Sequence, residues 1–129
     1  QHEATEDALE AVKDVLVHAH MGNCVMKEGA AGAGDQHPRF GYPNSENDAG
    51  DVAAYLQGLQ KIGYLGPDRP IVSFEVKPAE GECSDMVIAN AKRTLKDAWA
   101  RMPAAACEPT VRIIARGSVD IGNITITCR

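Results

Sequence analysis

Apolar residues recur at helical spacing in three parts of the chain, which predicts three helices. The first occupies residues 5–13 and the third begins at a Ser84 cap. The second begins at Ser45, where Ser45-Glu46-Asn47-Asp48 has the S-x-x-D form of a helix start, and ends at Gly63. The apolar stripes are Ala8, Leu9 and Val12 in the first helix, Val52, Tyr55, Leu56, Leu59 and Ile62 in the second, and Val87, Ile88, Ala91, Leu95 and Trp99 in the third.

Two shorter apolar runs predict β-strands between these helices. Residues 15–20 (VLVHAH) begin with β-branched side chains and end with polar ones, and residues 71–77 (IVSFEVK) alternate between apolar and polar positions. The stretch from Met21 to Glu46 has no periodicity and is punctuated by glycine and proline, which predicts a long loop. Such loops in compact domains are usually functional or disordered.

Strands that alternate with helices indicate βαβ units and a parallel sheet, so the expected fold class is α/β. After Pro103 the pattern changes, and Val111–Ala115 and Ile121–Thr127 predict a short β-hairpin. We therefore divide the chain into a β-α-β-α segment over residues 1–102 and a tail over residues 103–129. Two parallel strands alone bury little surface on their inner face, so the segment is expected to need further strands.

Composition and charge narrow the classes of function. The net charge of −5, without any cluster of lysine and arginine, argues against nucleic-acid binding. No apolar run reaches the roughly 18–20 residues of a membrane span, and no basic and apolar leader opens the sequence, so the expected location is cytoplasmic. The four cysteines form no C-x-x-C pair, and reduced thiols are expected, with a Cys107–Cys128 bridge as the alternative.

Polar side chains share one face of the two predicted strands. Because side chains alternate along a strand, His18 and His20 point the same way, as do Ser73, Glu75 and Lys77. Two imidazoles and a carboxylate suit a divalent cation such as manganese, cobalt, zinc, iron or magnesium. The alternative is that the histidines are hydrogen-bonded core groups and that Lys77 pairs with Glu75. The opposite face, with Val15, Val17, Ala19, Val72, Phe74 and Val76, is expected to pack against the helices.

The long loop contains a second group of polar side chains. Asp35, His37 and Arg39 lie within the run GDQHPRFG, shortly after the first strand. A carboxylate, an imidazole and a guanidinium so close together fit recognition of a polyhydroxyl ligand. The alternative is a solvated loop with an Asp–Arg pair.

Four motifs in order, VHAHMGNC, GDQHPRFGYPNSEND, SFEVKP and ANAKRTLKDAW, resemble the C-terminal part of the xylose isomerase-like TIM barrel family, which includes sugar phosphate isomerases and epimerases. The resemblance covers roughly residues 8–101. It implies that residues 1–102 are the last two β/α units of a (β/α)8 barrel.

The resemblance also implies roles for individual residues. His20 is similar to a metal-ligating histidine near the end of the seventh barrel strand, and Glu75 to a metal-ligating glutamate at the end of the eighth that also takes part in proton transfer. His18 is similar to the histidine two residues before the ligand, which either supports that ligand or contacts the substrate. His37 and Arg39 resemble substrate-side loop residues, to which we add Asp35 of the same loop. In the family, a glutamate and an aspartate from earlier strands complete the site, and this chain has no segment corresponding to them.

The expected function is therefore that of part of a metal-dependent sugar isomerase or epimerase acting on a sugar or sugar derivative. The expected cofactor is a divalent metal (Mn, Co, Mg or Zn), with Glu75 as catalytic base. Self-association or a partner chain is expected to complete the barrel. The alternative is a non-catalytic fragment or accessory subunit that keeps the barrel segment without its chemistry.

Overall fold

A computed structural model describes residues 3–65 and 71–103, together with the backbone of residues 110–115 and 119–125. Within these ranges the chain is a small mixed α/β domain with three helices and a two-stranded parallel sheet, followed by an antiparallel strand pair. The elements, in chain order, are α1 (Thr5–Val12), β1 (Ala19–Gly22), α2 (Ala49–Lys61), β2 (Val72–Glu75), α3 (Ser84–Arg101), β3 (Thr110–Ala115) and β4 (Val119–Thr125). The α/β class predicted from the sequence is confirmed.

The hydrophobic core lies between the β1–β2 sheet and the helices. The strand residues that face it are Ala19 and Met21 on β1, with Val72, Phe74 and Val76 on and just after β2. The helices contribute residues from the predicted stripes, including Leu56, Leu59, Val87, Ala91 and Leu95. Phe40, from the long loop, packs edge-on against Phe74 with ring centroids 5.5 Å apart, so the loop closes one side of this core.

Helix α2 begins three residues later than predicted, at a different cap. Asp48 occupies the N-cap, where its carboxylate accepts hydrogen bonds from the backbone N–H groups of Gly50 and Asp51, and the Asp51 side chain accepts from the Asp48 N–H at 2.8 Å. The predicted Ser45 cap is wrong because D-x-x-D makes the same reciprocal box as S-x-x-D, directly before the first buried residues. Gly63 does end the helix, with φ at 77°, which favours glycine.

Helix α3 also starts differently from the prediction. Cys83, with extended backbone, holds the N-cap position and makes no side-chain cap bond, while Ser84 is already helical. The predicted Ser84 cap is therefore wrong by one residue. The apolar stripe is confirmed, since Val87, Ile88, Ala91 and Leu95 are buried and Trp99 is partly buried.

Strand β1 is shorter than predicted and begins four residues later. Val15 and Val17 are 74% and 86% exposed, so the prediction that they pack against the helices is wrong. The physical reason is that Val15 and Val17 lie outside the paired part of the strand. The chain first turns after α1, where the N–H groups of Val15 and Leu16 donate to Val12 O. Register with β2 then starts only at Ala19 opposite Val72.

The tail forms the predicted hairpin, with β3 and β4 pairing antiparallel from Thr110 opposite Thr125 to Ala115 opposite Val119. Each strand begins one or two residues before its predicted start. The predicted strand end at 126–127 and the alternative Cys107–Cys128 bridge lie outside the described residues. In the part of the chain that the structure describes, no helix is long and apolar enough to cross a membrane.

Candidate metal and substrate site at the strand ends

His20 and Glu75 meet on the polar face of the sheet. The parallel register places Gly22 opposite Glu75, so His20, two residues earlier on β1, projects from the same face. His20 Nδ1 lies 3.1 Å from Glu75 Oε2, and the two side chains are 51% and 24% exposed. Both groups therefore converge on one solvent-accessible space near the carboxyl ends of two adjacent parallel strands, as the sequence predicts.

His18 extends this polar face toward the start of β1. Its ring lies edge-on to that of His20, with centroids 4.7 Å apart. Its Nε2 is 3.3 Å from Ser73 Oγ, and Ser73 is buried. A buried hydroxyl needs a hydrogen-bond partner, so His18 has a clear structural role beside His20 in addition to any contact with a ligand.

The loop brings His37 to the same face. A Cβ placed on Gly22 would lie 3.3 Å from His37 Nδ1 and 2.9 Å from Glu75 O. The imidazole therefore lies next to the space that a side chain at position 22 would occupy. His37 O accepts a hydrogen bond from Lys77 N at 2.8 Å, which fastens the loop just beyond β2. Asp35 Oδ1 lies 2.6 Å from His37 Nε2. Asp35 and His37, two of the loop residues singled out in the sequence, therefore contact each other.

Arg39 and Lys77 have other partners. Arg39 Nε donates to Glu82 Oε1 at 2.6 Å, which ties the loop to the segment before α3. The Asp–Arg pair considered as the alternative for this loop is therefore replaced by Asp35–His37 and Arg39–Glu82. Lys77 Nζ donates to Gln36 Oε1 at 3.3 Å.

Asn23 was missed by the sequence analysis although it organises the loop. Its side chain is buried; its Oδ1 accepts from the N–H groups of Cys24 and Asn47, each at 3.0 Å, and its Nδ2 donates to Arg39 O at 2.9 Å. Asn47 in turn donates to Gly22 O at 3.0 Å. One buried amide thus joins the end of β1 to both ends of the loop. In the sequence, the position of Asn23 directly after a strand is the only feature that points to this role.

A cleft of about 320 Å³ opens beside His20, along the edge of β1 that has no strand partner among the described residues. His20, Gly22, Asn47 and Asp51 supply polar groups to its wall, and Met21, Val52 and Tyr55 supply apolar ones. Burial raises the pKa of the Tyr55 phenol, which is therefore neutral across the physiological range. The cleft offers space for a small polar ligand or for a further strand next to β1.

The donor set of the site is one imidazole and one carboxylate. The described residues contain no group of three or more His, Cys, Asp or Glu side chains arranged to hold a metal ion, so His20 and Glu75 make at most half of a coordination shell. Comparison of the chain with protein-family models, with curated proteins and with solved structures finds no match in any of the three.

Proposed function

We propose that this chain is part of a metal-dependent sugar isomerase or epimerase, acting on a sugar or sugar derivative, in which His20 and Glu75 bind a divalent cation. The observation that carries the proposal is the 3.1 Å approach of His20 Nδ1 to Glu75 Oε2 at the ends of adjacent parallel strands. Sites in parallel α/β folds are built at the carboxyl ends of strands. The proposed architecture is the C-terminal β-α-β-α portion of a (β/α)8 barrel.

The separation of the two donor atoms fits a shared cation. Ligand atoms bound at about 2.1 Å in octahedral geometry, at right angles to each other, lie roughly 3 Å apart, close to the observed 3.1 Å. Imidazole together with carboxylate suits manganese, cobalt or zinc, and a carboxylate-rich completed site also suits magnesium. Without a cation the same atom pair forms a hydrogen bond, so the observed contact is compatible with both states.

Each residue of the site has a separate role in the proposed reaction. His20 and Glu75 would hold the divalent cation, which would polarise the sugar carbonyl and its neighbouring hydroxyl. Glu75 would accept the proton from the adjacent substrate carbon and, in an isomerisation, return it to the neighbouring carbon on the same face. An epimerisation would also need a proton donor on the opposite face, from outside the described residues. His18 keeps His20 in place through their ring contact, and the Asp35–His37 pair borders the substrate space.

The site needs donors from outside the described residues, and the free edge of β1 is where a further parallel strand would join. Val15 and Val17, exposed just before this strand, would then be covered as well. We propose that self-association or a partner chain supplies the missing strands. The same edge of β1, which has no strand partner among the described residues, favours the second candidate, a non-catalytic accessory subunit that docks through this edge, because an unpaired strand edge is a template for pairing with another chain.

Elemental analysis of the purified chain combined with its mass by light scattering separates the two candidates. The enzyme proposal predicts a stoichiometric divalent metal in an oligomer or complex, and loss of that metal in Glu75→Gln. The matched control is Glu28→Gln, which makes the same charge change at an exposed loop position and should leave the metal content unchanged. A metal-free wild-type chain contradicts the enzyme proposal and favours the accessory subunit.

In the assembled enzyme, Glu75→Gln is expected to abolish turnover because the amide can neither accept the proton nor bind the cation as a carboxylate does. The measurement is the rate of isomerisation or epimerisation of a panel of sugars, compared with the Glu28→Gln control. Near-normal turnover in Glu75→Gln would remove this residue from the mechanism.

A further inference from the structure

The donor pair on the polar face is half of a closed coordination shell. His20 Nδ1 and Glu75 Oε2 lie 3.1 Å apart and supply one nitrogen and one oxygen. Among the described residues no third His, Cys, Asp or Glu side chain is placed to join them on a metal ion. Closed zinc sites in proteins take four side-chain donors. Two more donors must therefore come from outside the described part of this chain.

This half-shell lies at the open side of the sheet. His20 is on β1 and lines the cleft of about 320 Å³ that runs along the strand edge without a strand partner among the described residues. Strand β3 lies beside β2 instead. A chain that approaches the edge of β1 therefore reaches His20 directly.

A second copy of the chain can supply the two missing donors by symmetry. A two-fold axis perpendicular to the sheet sets the two β1 strands antiparallel and keeps their polar faces on the same side, so both copies use the same patch. Directly opposite side chains of an antiparallel pair have Cβ atoms about 4.5–5.5 Å apart. At that spacing the two imidazoles can reach one cation, and each brings the Glu75 of its own chain.

The charges around this edge make the association depend on the cation. Each chain has a net charge of −5, and Asp51 lines the cleft, to which no lysine or arginine of the described residues contributes. Strand β1 has four residues, and such short edges pair weakly by themselves. Two copies therefore repel each other unless a divalent cation offsets the carboxylates at the axis.

We propose that two copies of this chain share one divalent cation, which is bound by His20 and Glu75 of each copy across a two-fold axis at the β1 edge. This inference rests on the proposed function and names a second copy as the source of the missing donors. It gives the dimer one cation, where a site complete within each chain would give it two.

The test titrates the full chain with Zn²⁺ and follows binding by calorimetry and mass by light scattering. In a chelator the mass should be that of one chain, 13.8 kDa. The titration should end at one Zn²⁺ per two chains, with the mass doubled. One Zn²⁺ per chain without a change of mass would overturn the inference and leave the proposed function standing. A chain that binds no cation contradicts the proposed function instead.

Variants distinguish ligation from a structural role of the same side chains. His20→Ala and Glu75→Gln each remove two donors from a shared site, so the zinc-induced doubling of mass should be lost. His20→Cys replaces the imidazole with another zinc ligand and should retain part of the doubling. The control Glu28→Gln should behave like the wild type, and all four variants should unfold at the wild-type midpoint in chelator. Full doubling in His20→Ala would overturn the inference.

Discussion

The two faces of the β1–β2 sheet differ in burial and in the kind of contact that their side chains make. On one face Phe74, Val72 and Met21 are buried in a single apolar cluster with the helices. On the other face His20 and Glu75 contact each other across the strands and remain open to solvent. The buried face supplies the packing that stabilises the fold, whereas exposed polar pairs contribute little to stability. Ligand binding is the role that we propose for the second face. This separation makes the two roles independently testable.

The largest expected effect is on the apolar face. Phe74→Ala removes a buried ring that contacts Phe40 and should lower the free energy of unfolding by about 3–5 kcal/mol. His20→Ala, on the neighbouring strand but on the polar face, should change it by no more than about 1 kcal/mol, because exposed pairs contribute little.

Urea unfolding of the two variants and the wild type measures this difference. Comparable losses of stability in Phe74→Ala and His20→Ala would mean that the polar pair is a structural element. The division between the two faces would then be wrong.

An intermediate effect is expected on the polar face itself, at Gly22 at the end of β1. Gly22→Ala places a methyl group 2.9 Å from Glu75 O and 3.3 Å from His37 Nδ1, and overpacking of this kind costs about 1–3 kcal/mol. Because the neighbouring backbone must move, cation affinity should fall along with stability. Calorimetric titration with Mn²⁺ checks this, and unchanged affinity would show that Gly22 is not needed to shape the site.

The smallest effect concerns the cap of α2, the helix that packs on the apolar face and starts beside the cleft. The backbone N–H of Gly50, and then that of Asp51, lower the pKa of Asp48 below its ordinary value of 3.8. A depressed carboxyl pKa contributes stability that is present above the unfolded-state pKa and is lost as the pH falls through the folded-state pKa.

Asp48→Asn keeps the cap without the charge, so its stability should converge with that of the wild type as the pH falls below about 4. Thermal unfolding between neutral and acidic pH measures the difference. A gap between the two proteins that stays constant across this range would contradict the role given to the charge.

The sequence predicts α2 and α3 well because each buries a continuous stripe that its own spacing reveals, whereas in α1 Leu9 alone of the predicted stripe is buried and Val12 is 40% exposed. The apolar side of β2 follows equally from alternation, and the same alternation places His20 with Glu75. Caps are less certain, since Ser45 and Asp48 both begin an acceptable box and only packing selects between them. Val15 and Val17 show the limit of strand propensity: β-branched residues form a strand only where a neighbouring strand lies in register.

The parts of the site that the sequence does not predict depend on tertiary contacts. The position of His37 over Gly22 follows from the backbone hydrogen bond between His37 O and Lys77 N, two residues that are far apart in the sequence. Asn23 is a single polar residue after a strand, and nothing in its neighbours marks it as the buried amide that orders the loop. The roles proposed for His18, His37, Arg39 and Asp35 toward a substrate stay predictions.

Paramagnetic broadening by Mn²⁺ tests most directly whether His20 and Glu75 hold a divalent cation. When less than one equivalent is added to the ¹⁵N-labelled chain, the amide signals of His20, Gly22 and Glu75 should broaden first. This effect should vanish in Glu75→Gln and persist in Glu28→Gln. Broadening centred instead on the acidic residues of α1, or equally strong in Glu75→Gln, would contradict the account.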